Sequence, residues 1–254
     1  MKSGYWFSEE DCVAKVTALL SACYERPYDR KYVEWMGRVG SWFVARCGDE
    51  DIGVYGVLPL IYKTGGVLID VGLVNNVGVV RRHRGGSLFD DLGRYAMARF
   101  GMSAYLGVSN SLALKGHLRA GWSHSHDVGL VEGAVPSGGF DSWCPEDWGA
   151  RHVRGHRWRE WRYSKPGECY KVNDGVVYKV FDGAVQIVES GEFTRAGVFG
   201  VGTRIGLMTT AGGSTWSRLI AVGFEEQFRR HVVVRGLLTE CLLPRVEPCD
   251  YDTF

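Results

Sequence analysis

Apolar residues at Val13, Val16, Leu19, Leu20 and Cys23, three and four apart with polar residues between them, are the first clear periodicity in the chain. That spacing predicts an amphipathic helix ending near Tyr24, and Ser8-Glu9-Glu10-Asp11 ahead of it has the hydroxyl-then-acid composition of a helix start. The pattern then changes to strands. Ser41 to Arg46 and Ile52 to Leu58 are rich in β-branched and aromatic residues, and Gly48-Asp49-Glu50-Asp51 between them suits a hairpin turn. A second turn composition, Lys63-Thr64-Gly65-Gly66, leads into the apolar run Val67 to Val80, interrupted by Asn75, Asn76 and Gly78. This run reads as one strand with a bulge or splay near its middle, because Gly and Asn inside a strand mark departures from the ladder.

Past Arg81-Arg82-His83-Arg84-Gly85-Gly86-Ser87 the helical spacing returns at Leu88, Phe89, Leu92, Ala96 and Phe100. Ala104 to Val108 predicts a short strand, Asn110 caps a helix to about Arg119, and Gly121 stops it before a strand from Ser123 to Val131. The fold class expected is α/β (α+β), a mixed central sheet in which a splayed strand is followed by a glycine turn and a helix.

From Glu132 to Cys144 the chain turns to Gly, Pro and Ser, the composition of a connecting segment. We expect a first domain over 1–132, a linker over 133–157 and a second lobe over 158–254. In the second lobe Glu160-Trp161, then Glu168 to Val172, Asp174-Gly175 and Val176 to Tyr178, echo Glu34-Trp35, Ser41 to Ala45 and Asp51 to Tyr55 in the same order. An internal duplication follows as an expectation.

With 30 basic and 29 acidic side chains the chain has no overall electrostatic bias, so any contact with nucleic acid must come from a local cluster. The apolar runs fall short of the roughly 20 residues of a membrane span, and the first residues show no secretory signal pattern; a cytoplasmic location and no membrane contact are expected. Seven scattered cysteines without a C-x-x-C spacing read as reduced and mostly buried. His124 and His126 would share a strand face, but no ligand partner lies at a familiar spacing, so no metal is expected.

Consecutive glycines at the start of a helix expose unpaired N–H groups at the positive end of the helix dipole, an arrangement that binds a diphosphate. Arg82 and Arg84 add cationic forks, with Arg81 and His83 as outer contacts; the alternative for the same residues is an ordinary loop with solvated arginines.

Val79 to Leu88 resembles the central motif of the GNAT (N-acetyltransferase) superfamily, Arg/Gln-x-x-Gly-x-Gly/Ala, here Arg82-x-x-Gly85-x-Ser87. Asn110-x-x-Ala113-x-x-x-His117-x-x-x-Gly121-Trp122 resembles the superfamily's later motif. The resemblance implies acetyl-CoA or another acyl-CoA as co-substrate, held by Val79, Arg82, Arg84, Gly85, Gly86, Ser87 and Asn110, with direct attack of a primary amine on the thioester. Ser87 replaces the usual Gly or Ala. His117 stands where many members carry a tyrosine that protonates the leaving thiolate; it is either that donor or a surface histidine on the second helix. For the base, Asp70 lies where some members carry a carboxylate, while Asn75 and Asn76 at the splay could anchor a water; each is also plausible as structure.

The segment Arg151 to Tyr163 mixes cations with aromatics, which suits a nucleic-acid docking surface over 151–165 or, on the repeat argument, a helix with Trp158 and Trp161 in the core. It also resembles the stretch that opens the second lobe of two-lobed superfamily members. The function expected is an acyl-CoA-dependent N-acyltransferase acting on a small-molecule amine, an amino sugar or nucleotide sugar first, with the second lobe binding the acceptor. The alternatives are a transferase acting on an amino-bearing base in nucleic acid, and a non-catalytic CoA-binding protein.

Overall fold

The computed structural model describes residues 4–137, 151–189 and 199–236, which fall into two compact units. The first unit holds the described residues up to His124 and also Val233–Gly236; the second holds those from Ser125 to Val232.

In the first unit, β1 (Tyr5–Glu9), α1 (Val13–Tyr24) and α2 (Arg30–Gly37) precede the strands β2 (Ser41–Cys47), β3 (Glu50–Thr64) and β4 (Val67–Val79). A single 3₁₀ turn (Arg81–His83) then leads to α3 (Leu88–Phe100), β5 (Ala104–Ser109) and α4 (Ser111–Arg119). Strands β1 to β4 pair antiparallel in chain order, and β5 joins β4 in parallel. Leu88, Leu92, Ala96 and Met97 of α3 pack with Phe43, Ala45, Ile52 and Tyr55 in one buried cluster. Each leucine, isoleucine, phenylalanine or methionine so buried contributes about 1.5–3 kcal/mol, and this burial, more than helix propensity, holds α3 against the sheet.

The helix start expected at Ser8 to Asp11 is corrected. Ser8 and Glu9 pair with Val44 and Phe43 at the end of β1, and α1 begins only at Val13. Glu10 is buried in an ion pair with Arg46 and accepts a hydrogen bond from the Cys12 amide at 3.0 Å, so its carboxylate serves an orphan N–H ahead of the helix. The hairpin turns are tighter than expected, confined to Gly48-Asp49 and Gly65-Gly66.

The chain enters the second unit along β6 (Ser123–Ala134), followed by β7 (Arg151–His152), α5 (His156–Tyr163), β8 (Lys171–Asn173), β9 (Val176–Phe181), β10 (Ala184–Glu189), β11 (Arg204–Thr210), α6 (Ser214–Ala221) and β12 (Glu225–Gly236). Strands β8, β9 and β10 pair antiparallel, β10 and β11 pair parallel, and β11 pairs antiparallel with Val128–Ala134. Val131, Ile187, Ile205, Leu207, Trp216, Leu219 and Phe224 form the core of this unit. The order α5, β8, β9, β10, β11, α6, β12 follows α2, β2, β3, β4, β5, α4, β6 with α3 left out between β4 and β5, where the second unit's 190–198 lie outside the described residues, and the parallel step falls at the same place in both. Of the linker expected over 133–157, residues 133–134 lie in β6, 156–157 lie in α5, and 138–150 are outside the described residues.

Among the four described cysteines only Cys23 is buried, against the expectation of mostly buried thiols; Cys12 and Cys169 are exposed and Cys47 is half-buried, while Cys144, Cys241 and Cys249 lie outside the described residues. Cys12 sits at the N-cap of α1, and Cys169 in the loop before β8, where the chain meets solvent. No helix among the described residues is long and apolar enough to cross a membrane.

Candidate active site

Val71 to Val74 of β4 pair with Ala104 to Gly107 of β5, and the parallel ladder ends there. Beyond it β4 continues against β3 alone. From Gly56 opposite Asn75 to Val54 opposite Gly78, two steps of β3 face three of β4, so the expected bulge is present, at Asn76-Val77. Asn76 has a left-handed backbone, φ +52°, a region Asn tolerates better than most residues. Tyr28 donates to its side-chain carbonyl, and its amide nitrogen donates to the Tyr32 hydroxyl at 2.6 Å. The Tyr24 hydroxyl donates to the Val77 carbonyl at 3.1 Å. Gly78 lets α1 cross the strand closely, since a Cβ there would lie 2.7 Å from Cβ of Cys23, whose thiol burial pushes up to about 12. The bulge turns β4 off its line and leaves its β5-facing edge beyond Val74 outside the parallel ladder. Such an edge offers backbone N–H and C=O groups to an extended ligand.

The turn that follows is built to end a strand and start a helix. The Val80 amide donates to Ile52 at 2.9 Å, one 3₁₀ turn reverses the chain, and Gly85 takes φ +93°, which only glycine adopts without strain. A Cβ on Gly85 or Gly86 would meet nothing within 4 Å, so the space over the turn is open. The first amides of α3 have no intrahelical acceptor and aim with the helix dipole into that space. Ser87, at the N-cap, does not cap; its hydroxyl donates to Asp91 at 2.6 Å, and this bond first of all holds the Asp91 carboxyl below its ordinary range.

The arginines around the turn are largely exposed, but each has a partner within the chain. Arg84 donates to the carbonyls of Val79 (2.8 Å) and Cys23 (2.6 Å), tying the end of β4 to the end of α1. Arg82 is paired with Glu50, Arg81 lies 3.7 Å from Glu25, and Arg94 is paired with Asp91. A diphosphate over Gly85 and Gly86 would therefore have to displace Glu50 from Arg82 and lie near Asp91.

Asn110 caps α4 by accepting from the Ala113 amide at 2.9 Å, as its spacing suggests. His117 is buried on the inner face of α4, which corrects the surface alternative: it is 4 % exposed, between the rings of Phe89 (5.2 Å) and Trp122 (4.9 Å). Its Nδ1 has no hydrogen-bond partner among the described residues, and burial pulls its pKa down to about 4. A Cβ on Gly107 would lie 4.0 Å from Cε1 of His117, which places the imidazole against the last rung of the β4–β5 ladder. At neutral pH the ring is neutral; it can give or take a hydrogen bond but carries no imidazolium proton.

Two further sequence candidates separate. Asp70 is exposed opposite Ile61 near the start of β4, six residues before Asn76 and hence roughly 20 Å along the strand. The amide groups of Asn76 are both taken by tyrosines, whereas Nδ2 of the neighbouring Asn75 is buried without a partner among the described residues. The structure also brings in residues the sequence did not single out: Phe89, whose ring lies against Gly116 and His117, and the tyrosines at 24, 28 and 32, whose spacing of four was visible but whose common target was not.

In the second unit, Arg159 makes a forked contact to Glu189 at 2.6 and 3.1 Å, Tyr163 donates to the same carboxylate, and Arg154 lies 3.9 Å away. Burial raises the Glu189 pKa, but the hydrogen bonds from Arg159 and Tyr163 together with the charges of Arg154 and Arg159 outweigh it and leave the carboxyl below its usual range. Lys165 and Lys179 share Glu168, and Arg162 is buried. Trp158 packs on His152 at 4.7 Å and reaches Trp161 at 6.3 Å. These contacts pin the basic aromatic segment to β9 and β10.

No protein-family model and no curated protein matches the chain. Solved structures are similar to it in fold. A conserved protein of Enterococcus faecalis V583 superposes with a TM-score of 0.65 at 9 % identity, over 92 % of this chain and 73 % of that one. A GCN5-related N-acetyltransferase from Kribbella flavida gives 0.61 at 13 % identity, over 92 % and 72 %. Eis1 from Mycobacterium abscessus gives 0.61 at 11 % identity, over 93 % and 74 %. The chain thus has the fold of the GCN5-related N-acetyltransferases, a mixed sheet whose bulged strand runs through a glycine turn into a helix.

Proposed function

We propose that this protein is an acyl-CoA-dependent N-acyltransferase that moves an acetyl or other acyl group onto the primary amine of a small acceptor, with an amino sugar, free or as a nucleotide sugar, as the first class to test. The observation that carries the reading is the bulge at Asn76-Val77 at the end of the β4–β5 ladder, leading through the open Gly85-Gly86 turn into α3. The unfilled space over that turn and the unpaired first amides of α3 fit an acyl-CoA diphosphate, with Arg82 as the side-chain cation once Glu50 is displaced. The edge of β4 past Val74 would orient the donor's extended arm.

When bound, acyl-CoA supplies an activated thioester carbonyl and a thiolate leaving group. The chain's own residues position and stabilise. Backbone amides of β4 past the ladder are placed to hydrogen-bond developing negative charge, and neutral His117 under Gly107 to offer an N–H to the departing sulfur. Asn75, with a spare donor at the end of the ladder, suits the anchoring of a water that relays the amine's proton. Asp70 is too far along the strand for that step.

We read the second unit as a degenerate repeat of the first, supported by an element order shared apart from α3 and by the absence of a second Arg-x-x-Gly-x-Gly/Ser in the sequence. One observation favours a second reading, a CoA-binding protein without chemistry: with His117 buried and neutral and Asp70 remote, these two candidates supply no charged acid–base pair at the ladder's end. Native mass spectrometry with a panel of acyl-CoAs, then an amine screen followed by thiol release, tests both. Amine-dependent thiol release supports the enzyme, binding without turnover supports the second reading, and no acyl-CoA binding refutes both.

A further inference from the structure

The bulge is held from outside the sheet. Tyr28 and Tyr32 close on the two ends of the Asn76 amide, and Tyr24 donates to the next carbonyl, Val77. The three phenols and Trp35 form a ring row with centroids 5.5, 5.8 and 5.7 Å apart, whose far end, Tyr32 and Trp35, is buried. The backbone of Tyr28 is itself fixed by a 3.0 Å bond from its amide to the Ser21 hydroxyl. Arg84 adds a tie between the end of α1 and the end of β4.

This arrangement has a physical reason. A non-glycine residue at φ +52° is disfavoured relative to extended backbone, so a regular strand competes with the bulge unless tertiary contacts hold it. A regular β4 would follow β5 further and close the edge that the donor needs. Tyr28, in the segment joining α1 to α2, donates to the Asn76 side chain, and Tyr32, in the first turn of α2, accepts from it, so the entry to α2 sets the geometry of the slot.

We propose that Tyr28 and Tyr32 are positioning residues for the donor: their hydroxyls hold Asn76 left-handed and keep the β4 edge turned away from β5 before any acyl-CoA arrives. This rests on the acyltransferase reading of the same site. Tyr24 supports the clamp through Val77.

The test is a cycle on the full chain, using acetyl-CoA as the probe in calorimetry. Tyr28→Phe with Tyr32→Phe keeps the rings and removes the hydroxyls, and should raise the acetyl-CoA dissociation constant tenfold or more, about 1.4 kcal/mol. Asn76→Gly, which adopts the left-handed region without help, should stay within about threefold of the parent. In that background the two Phe substitutions should add less than threefold. Equal weakening by the Phe pair in both backgrounds would mean the hydroxyls act other than through Asn76 and overturns the proposal, as does no weakening in either. Hydrogen exchange of the amides of 75–79 without ligand reads the clamp separately. Faster exchange in the Phe pair supports it even if the wild type binds no acyl-CoA, in which case the functional reading alone falls; unchanged exchange overturns it.

Discussion

Val74 of β4 and Gly107 of β5 form the last rung of the parallel ladder, and the buried imidazole of His117 lies against that rung. A histidine there, with its pKa pulled from 6.5 down to about 4, links the site to stability. Between those values the unfolded chain binds a proton the folded chain refuses, so stability falls as pH drops from about 6.5 toward 4. At about 1.36 kcal/mol per unit the effect is on the order of 3 kcal/mol. His117→Phe should flatten this stretch of the urea-midpoint profile against pH; an unchanged slope would place its origin elsewhere.

Catalysis should respond differently. Since the ring stays neutral on both sides of pH 7, no loss of activity above pH 7 is expected from His117. If its N–H serves the leaving thiolate, His117→Phe lowers kcat by roughly 10²-fold with acetyl-CoA affinity nearly intact. A kcat within about threefold of the parent would return His117 to a packing role.

Gly86 offers a cleaner probe of the cradle than Gly85, because it has ordinary backbone and a Cβ there meets nothing. Gly86→Glu should weaken acetyl-CoA binding at least tenfold by placing a carboxylate over the helix start, while Gly86→Ala stays near the parent. Equal affinities in both variants would remove the diphosphate from this turn.

Glu50 is paired with Arg82, so on the acyl-CoA reading it would compete with phosphate for that cation. Because both partners are substantially exposed, Glu50→Gln should change stability by no more than roughly 1 kcal/mol yet tighten acetyl-CoA binding several-fold at low salt. The gain should fade at high ionic strength as screening weakens the Arg82–phosphate attraction. A gain that survives high salt would argue against this exchange of partners.

In the second unit Glu189 is held below its ordinary pKa, so its contribution is present above the unfolded carboxyl value and is lost as pH falls through the lower folded one. Glu189→Gln removes the charge facing Arg159 and should destabilise by roughly 1–3 kcal/mol, less than a fully buried pair because Arg159 is half exposed. Thermal melts at pH 7 check the size. A change under 0.5 kcal/mol, on the order of an ordinary surface substitution, would show that the Glu189 charge does not hold the aromatic segment.

Local chemistry wrote much of this site into the sequence. Asn and Gly inside Val67 to Val80 announced the bulge, since these residues tolerate what a ladder forbids, and Gly85 with the helical spacing after it announced the turn and α3. Asn110 announced its own cap, because a cap is made within three residues. What depended on distant partners stayed hidden. Ser8 and Glu9 look like a helix start until β2 supplies their ladder, and Arg84 looks like a phosphate fork until Cys23 and Val79 present their carbonyls. His117 looks titratable near neutrality until Phe89 and Trp122 exclude water from it, and Tyr28 and Tyr32 have no visible task until Asn76, 44 residues or more along the chain, is set between them. Backbone preference is decided by near neighbours and is legible in one dimension; burial, charge pairing and hydrogen-bond partners are decided by whichever residues the fold brings into contact.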